Sequence, residues 1–147
     1  MPVSGQMYDH TVLKFIQGLN LASDNFLVNL YSAFGFNAAH TTKAQVDAVA
    51  TQLTTGNGYT QDTKLLTSVA ISLVAPRHCK FTAADVVWTA SGGVLGPANF
   101  AAVFNTSRTD SPPVFYIDFG GPYSSSPGAP FTLRIHASGI VTFNYNI

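Results

Sequence analysis

From Phe131 to His136 the chain alternates strictly, Phe131, Leu133 and Ile135 against Thr132, Arg134 and His136. A period of two gives a strand one apolar and one polar face. Ala137-Ser138-Gly139 then supplies a short turn. Ile140 to Tyr145 returns with Val141, Phe143 and Tyr145 on one face, so the pattern predicts a closing hairpin. One strand earlier, Val114 to Phe119 puts Phe115, Ile117 and Phe119 on one side and is expected to end at Gly120-Gly121-Pro122. These three strands are expected to share one sheet.

Upstream, the same period runs through three more stretches. Leu65, Val69, Ile71 and Leu73 oppose Ser68, Ala70 and Ser72 in a long strand stopping at Pro76. Phe81 to Thr89 follows, with Ala84, Val86 and Trp88 on one face, which makes residues 76–80 a loop. After a turn at Ser91-Gly92-Gly93, Ala98, Phe100, Ala102 and Phe104 alternate in another strand. Asn25 to Tyr31 also alternates, with Phe26, Val28 and Leu30 facing one way. Residues 106–113 and the Pro-, Ser- and Gly-rich 122–130 are expected loops.

Helical spacing is confined to the first third. Tyr8, Val12, Phe15, Ile16 and Leu19 suggest an amphipathic helix over 9–18 with Asp9 as N-cap, a strand being the alternative. Thr42-Lys43-Ala44-Gln45 fits a capping box, followed by an apolar stripe of Val46, Val49 and Leu53 and by Gly56 as the C′ glycine. Asn57-Gly58 begins a turn. Six or seven strands with one or two short helices in the N-terminal third predict a mainly β protein, an antiparallel β-sandwich or jelly-roll. No linker or repeat divides it, so residues 1–147 are expected to form one domain, with 1–21 a possible contact segment.

Composition sharpens this picture. Charged residues make up only 10% of the chain against 46% hydrophobic, and seven Asp balance seven Lys and Arg with no Glu. A surface so poor in charge loses little when a partner buries it. The neutral balance gives no electrostatic footprint for nucleic acid or an anionic membrane. No long apolar run preceded by a basic segment predicts a signal peptide or a membrane span. A lone cysteine, Cys79, excludes an intrachain disulfide framework.

Candidate chemistry is sparse. His10, His40, His78 and His136 lack metal-ligand spacing, so packed or solvated histidines are the default reading and no metal or cofactor is expected. Cys79 beside Arg77, His78 and Lys80 raises a reactive thiolate, but a small residue in a loop is the simpler account. Asp85 and Asp118 fall inside predicted strands and raise a carboxylate pair; solvent-facing or locally bonded aspartates fit the small scaffold better. The glycine pairs 92–93 and 120–121 open no helix and so cradle no phosphate.

Several phrases in fixed order carry a resemblance. Gly58-Tyr59, a long alternating strand, Asp85-Val86-Val87-Trp88-Thr89, Ile117-Asp118-Phe119-Gly120-Gly121 and Gly139-Ile140, spread over residues 26–143, resemble a group of small virion proteins of tailed bacteriophages. Beside it, Tyr59 and Trp88 read as large structural anchors, and Asp118 with Gly120 as the end of a strand at a tight turn. The resemblance implies a non-enzymatic capsid decoration (cement) protein, made in the host bacterial cytoplasm. It would sit on the outer capsid surface as a homotrimer bound to the major capsid protein. A tail or baseplate protein is the alternative, as is a carbohydrate-binding adsorption module using Tyr116, Tyr123 and Tyr145. Candidate partner contacts are Tyr8, Phe15, Arg77, His78, Lys80 and Tyr123.

Overall fold

A computed structural model describes residues 2–3, 5–8, 20, 22–75 and 78–144. The strands are β1 (Pro2–Val3), β2 (Gly5–Met7), β3 (Phe26–Ala33), β4 (Thr51–Gln52), β5 (Ala70–Ala75) and β6 (His78–Thr82). They continue with β7 (Val86–Thr89), β8 (Leu95–Asn105), β9 (Pro113–Ser125), β10 (Pro130–Ile135) and β11 (Val141–Asn144), and one helix, α1 (Lys43–Asp47), lies between β3 and β4. The mainly β, antiparallel architecture expected from the alternation is the one adopted, with more strands than expected and with β8 and β9 longer than read.

The largest sheet has the order β2-β9-β8-β3-β4, and two three-stranded sheets run β1-β10-β7 and β11-β6-β5. Every pairing is antiparallel except β1 with β10. Phe26, Val28 and Leu30 of β3, Ala101 and Val103 of β8, and Phe115 and Ile117 of β9 face the small sheets. There they meet Phe81, Val86, Trp88, Phe131, Leu133 and Ile140 in one core. The opposite face of the large sheet is buried too. Leu27, Tyr31, Ala102, Phe104 and Tyr116 pack with Tyr8, with Val46 of α1, and with Phe34 and Phe36 from the chain after β3. A strand covered on both faces becomes apolar at both phases, which is why β3 reads Phe-Leu-Val-Asn-Leu-Tyr.

Tertiary pairing overrides several expectations. β10 and β11 do not form a hairpin: β10 pairs with β7 and β1, while β11 pairs with β6. The turn at 137–139 instead passes the chain between sheets, with the Gly139 N–H donating to His136 O and the Ile140 N–H to Phe81 O. The three C-terminal strands therefore lie in three different sheets. β9 does not end at Gly120. Gly120 has φ +75°, its N–H donates to Asp118 Oδ1 at 2.8 Å, and the β8–β9 register shifts between Ala98 and Phe100. The glycine pair thus makes a bulge inside a long strand, and the expected 122–130 loop shrinks to the turn after Ser125.

The expected 81–89 strand is split into β6 and β7, and residues 78–80 are strand, not loop. The expected 65–75 strand is shortened to β5, because Ser68 takes a left-handed φ of +52°. The Thr42–Gln45 capping box forms as read, yet α1 closes at Ala48. Val49 is exposed and Leu53 joins the other core, so the stripe does not persist. Gly56 lies in a turn closed on Tyr59, not at a helix end. In that turn Gly58 has φ +90°, and a Cβ there would sit 1.9 Å from Thr89 O. The turn therefore rests directly on the end of β7. The helix expected over 9–18 lies outside the described residues.

Candidate functional site

Of the six candidate contacts, Tyr8, Lys80 and Tyr123 have described side chains. Tyr8 is wholly buried, its ring edge-on to Phe36 at 5.0 Å, and burial pushes its phenol pKa up. It is a core residue, because the backbone at Tyr8 is tied to Val114 O beside the β2–β9 pairing. His78 opens β6 opposite Asn144 of β11. Lys80 is half-buried in β6, and its ammonium donates to Ala137 O at 2.8 Å, clamping the 137–139 turn. Tyr123 is exposed, edge-on to Phe119 at 6.4 Å. Phe15 and Arg77 lie outside the described residues.

The anchors behave as anchors, with one change of role. Tyr59 is buried, and its hydroxyl accepts from the Leu30 N–H and the Gln52 amide, each at 3.1 Å. Trp88 is buried between Tyr59 and Phe131, with Lys64 Nζ 5.9 Å from its ring centroid. Asp118 and Gly120 make the bulge described above. Of the aromatics considered for glycan stacking, Tyr116 is buried against Phe36 and Phe100 and is unavailable as a platform. Tyr145 lies outside the described residues.

The two aspartates expected within strands, Asp85 and Asp118, both accept from backbone N–H groups. Asp85 lies ahead of β7, not within a strand, and accepts from the Ile135 N–H at 2.8 Å. Asp118, in β9 of the large sheet, accepts from the Gly120 N–H at 2.8 Å. Cys79 is a half-buried strand residue opposite Leu73. Among the described residues no three His, Cys or Asp side chains gather, and no helix is long and apolar enough to cross a membrane.

One polar cluster has no counterpart among the sequence expectations. Asn29, fully buried in the middle of β3, donates to Asp62 Oδ1 at 2.6 Å and accepts from the Asp62 N–H at 3.3 Å. Lys43 of α1 bridges Asp62 at 3.1 Å and Asp47 one helical turn on, and the Tyr31 hydroxyl donates to Asp47. Burial opposes ionisation of Asp62, but hydrogen bonds from Asn29 and Lys43 outweigh it and hold its carboxyl below the ordinary value. Burial likewise pulls Lys43 down, and the two carboxylates reverse this and raise it. An asparagine within a run of buried apolar residues was the sequence signal. The cluster closes on itself and links β3, α1 and the 59–63 turn. A recess of about 60 Å³ lies apart from it, lined by Leu53, Asn57, Tyr59, Val94 and Gly96 among others.

The surface feature that stands out is β5. One edge pairs with β6, and the other has no backbone hydrogen-bond partner among the described residues. Ile71 and Leu73 are 42% and 68% exposed. Ile71 lies opposite Phe81, which is fully buried in the main core. Directly paired residues share a sheet face, so Ile71 and Leu73 continue the inward face of the small sheet past the described residues that cover it.

No family model, curated protein or solved structure matches the chain.

Proposed function

We propose that the chain is a non-enzymatic structural component of a tailed-phage virion, a decoration (cement) protein that binds the major capsid protein on the outer shell as a trimer. The observation that carries this reading is the open β5 edge with its uncovered apolar face, a surface built to be buried in an assembly. The ordered phrases from Gly58-Tyr59 to Gly139-Ile140 support it. So does the 10% charge content, which keeps the desolvation cost of burial small. Asp85 and Asp118 bind backbone amides, and Lys43, Asp47 and Asp62 bind one another, so these side chains hold the fold. A protein that binds the assembled shell and not its dissociated subunits stabilises the shell by mass action, and repeated weak contacts add through multivalency.

The test adds purified protein to capsids that lack it and heats them. Saturable binding with a higher temperature of DNA release is expected. No binding, or binding with no such rise, would remove the cement role. Gel densitometry of particles against the major capsid protein separates a shell protein, at hundreds of copies, from a tail protein at a few dozen or fewer, the order expected from shell and tail symmetry.

A further inference from the structure

We infer that the outer edge of β5 is the surface through which copies of this chain associate, an extended strand of a second copy adding to the β11-β6-β5 sheet. The edge offers a row of N–H and C=O groups over six residues, roughly 20 Å of strand. Water can satisfy these groups one by one, and another extended backbone pairs with the whole row in register.

Other edges are short or covered. β1, β2 and β4 have two or three residues and β11 four. The 56–59 turn sits against the end of β7, where the Ser91 N–H donates to Asn57 O. Among the described residues β5 has neither protection, and from Leu65 to Ala75 the chain carries no charge, proline or glycine to discourage pairing.

The lack of charge suits a second copy as the occupant. The edge has no charged group to attract a charged partner or to repel its own copy, and a net charge of zero leaves no long-range repulsion between copies. A second copy also brings apolar side chains to cover Ile71 and Leu73. The assignment is read from the edge alone and stands whether or not the chain is a virion component.

The test is sedimentation velocity of the full chain across a wide concentration range, for the wild type, Leu73→Lys, and the exposed control Val49→Lys. Circular dichroism and Trp88 fluorescence check each fold. Wild type and Val49→Lys are expected as dimers, if β5 pairs with itself, or as trimers, if it meets another edge of the next copy. Leu73→Lys should be a folded monomer, its association weakened at least tenfold. If Leu73→Lys misfolds, Leu73→Ser takes its place. A monomeric wild type, or an oligomer unmoved by a folded Leu73 variant, would overturn the inference. A wild-type monomer that binds capsids and loses that binding with Leu73→Lys would assign the edge to the shell instead. Self-association without capsid binding would leave β5 as assigned and remove the cement role alone.

Discussion

Trp88 joins the two halves of the main core. Its ring lies between Tyr59, which is tied by its hydroxyl to β3, and Phe131 of β10, paired directly opposite it. Trp88→Ala removes those contacts and leaves a cavity between sheets, so it should cost about 3–5 kcal/mol. The indole N–H is buried with no hydrogen-bond partner among the described residues. Trp88→Phe keeps most of the packing and removes that unpaired donor, so it should cost less than half as much. Urea melts followed by circular dichroism measure both, and a loss below about 1 kcal/mol for the alanine variant would place Trp88 outside the cooperative core. The residue was legible in the sequence, because it follows Val86 at the apolar phase of a strand. The burial of Tyr8 was not. Its spacing with Val12 and Phe15 suggested a helix face, whereas its partners Phe36 and Tyr116 are distant in sequence.

At the scale of elements, features set by neighbouring residues were legible and those set by distant ones were not. The Thr42–Gln45 box is local and forms as read. The break inside β9 was misread because a glycine pair looks like a terminus until the Asp118 carboxylate is seen to hold Gly120 within the strand. Periodicity placed Ile71 and Leu73 on one face but could not tell whether anything covers that face. The Asn29–Asp62–Lys43–Asp47 cluster shows its function in the pH dependence of stability. A carboxyl held below its usual 3.8 stabilises the fold above that pH, and the contribution is lost as pH falls through the lowered value. An ammonium held above 10.5 stabilises below that pH, and the contribution is lost as pH rises through the raised value. The phenols of Tyr31 and Tyr59, raised chiefly by burial, act in the same alkaline direction from about pH 10 upward. Asp62 is half exposed, so solvent screens its share. Denaturant midpoints should therefore fall below about pH 4 and above about pH 10. Lys43→Met should flatten the part of the acid limb that Asp62 contributes, and superimposable acid limbs would show that the bridge adds nothing.

For the molecule as a whole, the two-sided burial of the large sheet sets an order of local stability. β3 and β8 lie inside that sheet, with residues 26–31 and 101–105 buried on both faces. Their amides reach water only when both cores open, so they should exchange slowest, near the global unfolding free energy, typically about 5–15 kcal/mol for a domain. β5 contrasts with them, with one edge unpaired among the described residues and with exposed apolar side chains. A strand open on one edge needs only a sub-global opening to exchange, unless a second copy holds it. Dilution should consequently speed exchange at Ala70 to Leu73 while β3 and β8 stay as slow as before. Hydrogen–deuterium exchange at two protein concentrations, read by peptide mass spectrometry, makes the comparison. Exchange in β5 as slow as in β8 at every dilution would mean that the strand is covered within its own chain, and that the open edge does not persist in solution.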